Sequence, residues 1–207
     1  MSPVEQYRGL ARYNTWMNEK IYAQAATLAA SDRTRNLGAF FGSLHGTLSH
    51  LLWADRIWLW RFTRDAEIGQ SRDRDGNPIP IGMHDQVLYA DFDELRRERV
   101  KTDCHIEQWV DAFTPEHVGG PISYSSLSGG TREHPLWMAV THFFNHQTHH
   151  RGQVHCMLTQ AGGKPHDTDL AFMPVSPVPP PEPVVSIRVR ALRTASAVVT
   201  VLASPSL

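Results

Sequence analysis

The sequence predicts an all-α chain: a four-helix bundle with long inter-helix loops and a Pro-rich C-terminal extension. Three observations predict it. Four long segments carry apolar residues at three- and four-residue steps. Strand-like patterning is confined to residues 119–130 and to the β-branched close of the tail, SIRVRALRTASAVVTVLASPSL. Proline density rises abruptly after Phe172. Amphipathic segments of this kind bury their apolar stripes by packing on one another.

The first helix is expected over about 4–29, where Tyr7, Leu10, Tyr13, Met17, Ile21, Ala25 and Leu28 recur at helical spacing. Asp32 and Asn36 mark the loop that follows. A second helix fits about 38–63. Phe40, Phe41, Leu44, Leu48, Leu51, Leu52, Ile57 and Leu59 make it apolar around much of its girth, as for a helix packed on several sides. Residues 64–86 read as a long excursion loop, with Asp73-Arg74-Asp75-Gly76-Asn77-Pro78 as turn chemistry. Loops of that length inside compact domains are usually functional. The third helix, about 91–113, opens at Asp91 with Glu94 three residues on, a capping-box-like start. Residues 119–130, GGPISYSSLSGG, read as a short hairpin or loop. The fourth helix fits about 134–161, with Pro135 in its first turn and Gly162-Gly163 as its stop. No internal repeat suggests a solenoid.

Two regions follow from this reading: a helical body over 1–173 and a tail over 174–207. The tail holds seven of the chain's fourteen prolines, and PVSPVPPPEPVV cannot be helical. It is expected to be poorly ordered and to take no part in chemistry.

Composition narrows the function. The chain has 207 residues, 41% of them hydrophobic, enough to bury a core in one domain. A net charge of −1 without a basic stripe argues against nucleic acid as a partner. Cys104 and Cys156 form no CxxC and no disulfide framework, so a reducing, cytoplasmic setting is expected. The N-terminal MSPVEQYRGL has no apolar signal-peptide core. No run of 18 apolar residues exists to span a membrane.

The chemistry-bearing stretch is His142–Gln153, HFFNHQTHHRGQ, with four of the chain's twelve histidines. His142, His146 and His150 recur every four residues. Each such step turns a helix by about 400°, so the three rings share a face. Imidazoles so spaced can share a divalent ion, because neutral His nitrogen suits Zn, Ni, Cu or Fe. The second helix offers His45 and His50. They are five residues apart, about 140° net, so both cannot point at one centre. Three His ligands with open positions would make a catalytic-type site. His146-Gln147-Thr148-His149-His150 has the outline of HExxH. Gln147 stands where a zinc peptidase carries its base, and a neutral amide cannot take the proton of water.

Together, YNTWMNEKI (Tyr13–Ile21), LHGTLSHLLWADRIWLWRF (Leu44–Phe62) and HFFNHQTHHRGQVHCMLTQAGG (His142–Gly163) resemble the DinB/YfiT-like superfamily. The resemblance spans about residues 4–173 and ends on DLAFMP (Asp169–Pro174). It implies a four-helix bundle, often a homodimer, with a metal site of three residues falling here on His50, His146 and His150. It leaves out His45, His142 and His149, although periodicity alone had kept His142 open. It further implies a metal-dependent transferase or isomerase. Such an enzyme would use a low-molecular-weight thiol (bacillithiol, mycothiol or glutathione) on a small-molecule substrate, with Zn or Ni as the ion. The alternatives are a non-catalytic metal-binding stress-response protein and a metal-dependent hydrolase, the latter weakened by Gln147.

The neighbours of the motif carry expectations of their own. Arg151 could contact an anionic substrate or form an ion pair with Asp55. Gly152 suggests a close helix approach. Asn145 and His149 could orient ligand rings or lie on the surface. Trp53, Trp58, Trp60 and Trp137 are expected as core or dimer contacts, and Cys156 as a small buried residue.

Overall fold

The computed structural model describes residues 2–126, 129–164 and 166–174. The tail expected over 174–207 lies outside them except for Pro174. Four long helices dominate the described residues: α1 (Pro3–Ala26), α3 (Leu44–Thr63), α5 (Phe92–Asp111) and α7 (Leu136–Gln160). Short helices α2 (Ala30–Thr34), α4 (Ala66–Gly69) and α6 (Pro115–Gly119) sit in the connections. A hairpin of β1 (Pro121–Ser125) and β2 (Thr131–Pro135) precedes α7. The all-α bundle expected from the sequence is what the chain forms. None of these helices is long and apolar enough to cross a membrane.

The ends of the long helices follow from local chemistry. Ser2 caps α1 by accepting from the Glu5 amide, and the Glu5 carboxylate accepts from the Ser2 amide, a reciprocal capping box. Asp91 caps α5 as anticipated. The reciprocal half differs, because the Glu94 carboxylate is taken by Arg74 at 3.1 Å. Pro135 ends β2 and stands just outside α7, while Gly162 at φ 84° follows its last turn. The second helix needs correction: it begins at Leu44, six residues later than its apolar run suggests. Gly38 and Gly42 adopt φ of 75° and 72°, a backbone region that glycine enters freely. Ser43 then caps α3 by accepting from the Gly46 amide. Phe40 and Phe41 are therefore loop residues. The Asp73 turn forms as read, its carboxylate accepting from the amides of Asp75 and Asn77. The hairpin pairs Ile122 with His134 and Tyr124 with Arg132.

Helix order around the bundle is α1–α5–α3–α7, each packing on the next and α7 closing on α1. Residue pairs give the directions. Arg8 meets Asp111 while Asn14 meets Asp103, so α1 and α5 are antiparallel. His50 meets His146 while Phe62 meets Phe143, so α3 and α7 are antiparallel too. The buried residues of α1 include Val4, Tyr7, Ala11, Asn14, Asn18, Ile21 and Ala25, alternating steps of three and four as in a bundle seam.

Two apolar clusters fill the bundle, one at each end. The first centres on Met17, Ile21, Leu48, Leu51, Leu52, Leu95 and Leu158; the second on Tyr7, Leu59, Ile106, Phe143 and Phe144. Between them lies a polar belt fed by all four helices. Arg99 of α5 binds Asp55 of α3 at 2.5 Å and Asp103 at 2.9 Å. Asn14 and Asn18 of α1 donate to Asp103. Gln147 of α7 donates to Asp55, and Arg151 of α7 donates to Asn14. Full burial pushes both carboxyls up, Asp55 to about 7 and Asp103 to about 6, against the pull of Arg99.

This belt corrects several sequence expectations. Asp55 pairs with Arg99, not with Arg151, whose bonds go to Asn14 and Thr148. Gly152 has open space where a Cβ would stand, so no close helix approach requires it. Cys156 is exposed, because it lies about 200° around α7 from buried Val154. Of the tryptophans, Trp53 is core, whereas Trp60 and Trp137 are exposed.

Removing one member of a buried charge network costs about 3–5 kcal/mol, because the others stay desolvated and unpaired. Arg99→Met is therefore expected to lower unfolding free energy by about that amount in urea titration. Adding Asp55→Asn and Asp103→Asn should recover part of the loss. A loss below about 1 kcal/mol for Arg99→Met would show that the belt does not hold the bundle.

Candidate metal centre

The antiparallel contact of α3 with α7 brings His50 opposite His146 and His150. One ring nitrogen of each lies within 4.8 Å of the others, and the group could hold a metal ion. His50 and His150 are buried, and His146 is half-buried. The Nε2 atoms of His50 and His146 are 3.2 Å apart. Two nitrogens bound tetrahedrally to one zinc at 2.0–2.1 Å would be about 3.3 Å apart, so the spacing fits a shared ion.

The surroundings decide which nitrogen faces the centre. His50 Nδ1 lies 2.7 Å from the carbonyl oxygen of His84, which can only accept. The proton therefore sits on Nδ1, and Nε2 keeps its lone pair. His150 Nδ1 lies 2.8 Å from Gln153 Oε1 and takes the same tautomer. Oxygen acceptors of this kind fix ring orientation and raise ligand basicity. Burial lowers the pKa of His50 to about 4 and that of His146 to about 3, with neighbouring imidazoles adding to the effect. His150 is lowered as well, again chiefly by burial. All three rings are neutral near pH 7, the state a metal requires.

Apolar rings pack on the His50 imidazole. Phe41 stacks on His50 at 3.8 Å and meets His150 edge-on at 5.5 Å. Trp53 stacks on the same His50 ring at 5.8 Å. The excursion loop thus contributes the His84 carbonyl, and the glycine-bounded turn before α3 contributes Phe41. Sequence reasoning missed both. A backbone acceptor leaves no side-chain signature, and Phe41 was indistinguishable from a helical core residue.

The remaining candidates fall elsewhere. His45 bonds the Tyr89 carbonyl at 2.8 Å, on the other side of α3 as the 140° offset implied. His142 is exposed, its ring 6.0 Å from that of His146. His149 and Asn145 are exposed as well, and His149 lies 3.4 Å from Gln153 Nε2, beside the amide that orients His150. Arg151 lines a cavity of about 400 Å³ with Leu10, Tyr13, Met17, Thr168 and Asp169, which none of the three histidines enters. Gln147 is fully buried in the polar belt.

Fold and site define a class: helical bundles whose core presents three imidazoles to one point. The DinB family matches residues 1–176, and the chain belongs to that family. It is 24% identical over 161 residues to Protein DinB of Bacillus subtilis (strain 168), covering 77% of this chain and 88% of that protein. A crystal structure of a DinB-like protein from Bacillus cereus ATCC 10987 aligns with a TM-score of 0.51 at 16% identity. That alignment covers 74% of this chain and 91% of the other and shows the shared fold.

The tautomers and low pKa values give a spectroscopic expectation. In metal-free protein, ¹⁵N NMR should find His50 and His150 as Nδ1–H tautomers. His50 should stay neutral down to about pH 4 and His146 to about pH 3. An unfolded His protonates near 6.5, so between 6.5 and 4 the folded state binds fewer protons and these residues reduce stability as pH falls. Titration of either ring near 6.5 would contradict the burial argument.

Proposed function

We propose that this DinB family member is a metal-dependent enzyme that transfers or rearranges a group between a small thiol and a small electrophile. In this reading His50, His146 and His150 are the three protein ligands of one divalent ion, Zn or Ni foremost. The observation that carries it is the convergence of three neutral imidazoles on one point with no carboxylate in the group. A divalent ion held by neutral ligands keeps its full charge and would favour thiolate over thiol near neutral pH.

The chain's own residues favour thiol chemistry over hydrolysis. A hydrolase of the zinc-peptidase type needs a carboxylate base beside the metal, and Gln147 occupies that position in the motif. Its amide is spent on Asp55 inside the belt. An ionised thiol needs no such base to act as a nucleophile. The rings of Phe41 and Trp53 stack on His50 and shield it from water, which strengthens electrostatic effects at the centre. His84 and Gln153 hold two of the three rings in the tautomer that ligation needs.

Single His50→Ala, His146→Ala and His150→Ala variants are expected to lose stoichiometric metal by elemental analysis while keeping helical circular dichroism. Full metal retention in any of them would overturn the ligand assignment. Metal-loaded wild type is expected to consume glutathione, bacillithiol or mycothiol with at least one of a panel of small electrophiles, and the metal-free protein to be at least tenfold slower. Stoichiometric metal without consumption of any thiol would favour a non-catalytic metal-binding protein instead.

A further inference from the structure

A stripe of imidazole and aromatic rings around one buried arginine leads away from the three-histidine centre, along the α3–α7 contact, to the hairpin. His142 stands one turn before His146, with ring centroids 6.0 Å apart. Trp58 of α3 lies 5.2 Å from the His142 ring. The Arg61 guanidinium sits 4.8 Å from the Trp58 ring and 4.7 Å from the Tyr124 ring of β1. His134 of β2 lies 5.9 Å from Tyr124 and completes the cluster. Positions 50, 58 and 61 share the face of α3 turned to α7, so the stripe is continuous with the centre.

Arg61 is unusual among the buried arginines. Arg56 binds Glu98, and Arg99 binds Asp55 and Asp103. Arg151 is built into the belt through Asn14 and Thr148. Arg61 is only 8% exposed, yet among the described residues it has no carboxylate partner, only a 3.4 Å bond to the Ser125 carbonyl. Burial lowers its pKa, chiefly by desolvating the guanidinium. Cation–π contacts to two rings hold the planar guanidinium in place without neutralising it. A desolvated, oriented, unpaired guanidinium is what carboxylate recognition uses.

We propose that Arg61, His142 and His134, framed by Trp58 and Tyr124, bind the carboxylate of the small molecule whose reactive end sits at the three-histidine centre. The proposal rests on the reading of that centre as a thiol-transfer site and names the substrate class: a carboxylate-bearing thiol or electrophile. His142 lies one helical turn, about 6 Å, from the level of His146. The reactive atom and the carboxylate must therefore be separated by several bonds. Arg61 and His142 are positioned to contact the bound molecule, and the exposed His142 edge gives entry.

The test is isothermal titration of full-length, metal-loaded protein with S-methylglutathione, succinate and benzoate, each against its methyl ester. None of these probes carries a free thiol, so binding is read independently of turnover. Wild type should bind at least one acid tenfold or more tightly than its ester. Arg61→Met, which keeps the stem packed on both rings, should abolish that preference without loss of metal. Arg61→Lys should retain much of it. His142→Ala, at an exposed position, should lower it several-fold and supplies the decision should Arg61→Met fail to fold. No acid preference in wild type, or an unchanged preference in Arg61→Met or His142→Ala, would overturn the proposal. If acid preference holds while no thiol is consumed, the anion arm stands and the thiol-transfer reading fails.

Discussion

Asp55 makes two bonds that the rest of the molecule depends on: it accepts from Arg99 of α5 and from Gln147 of α7. A bundle of apolar seams alone tolerates sliding, since one leucine layer resembles the next. A buried carboxylate does not, because a shift of one turn would leave it desolvated without donors. Asp55 thereby fixes α3 against both neighbours. Asp103 does the same for α5 against α1, through Asn14 and Asn18. Arg151 closes the ring between α7 and α1.

That register places the candidate site. Gln147 lies between His146 and His150 in sequence, and Asp55 lies five residues after His50. Fixing Gln147 on Asp55 therefore also fixes the level at which the three imidazoles meet. The acceptors on His50 and His150 then choose the tautomer. Burial keeps the rings neutral, and Phe41 and Trp53 stack on His50. Belt and centre are separate in chemistry, one ionic and one neutral, but they share the α3–α7 contact.

Much of this was legible in the sequence, and what was not has identifiable causes. Four helices and their approximate ends followed from apolar spacing, from Asp91 and from Gly162. The trio His50, His146 and His150 came from a motif resemblance, and the structure brings the same three together. The belt was hidden because Asn14, Asn18, Arg99 and Asp103 look like surface residues until their seam positions are known. Asp55 was matched to Arg151 because sequence does not reveal that Arg99 reaches it first. Phe41 looked helical, since only the φ of Gly38 and Gly42 shows the chain turning away. Arg61 lies inside the Leu44–Phe62 motif, but nothing in that motif gave it a role. Its interest comes from what surrounds it: two rings, two histidines and no acid among the described residues.

The central claim is that three imidazoles, and no other protein group, hold one divalent ion. X-ray absorption at the metal edge of the stoichiometrically loaded, full-length protein tests it most directly. The account predicts three imidazole nitrogens, seen as ring multiple scattering, at about 2.0–2.1 Å for zinc, with any remaining ligands light, non-imidazole atoms. A sulfur ligand from Cys104 or Cys156, or a shell of oxygens with fewer than two imidazoles, would contradict it.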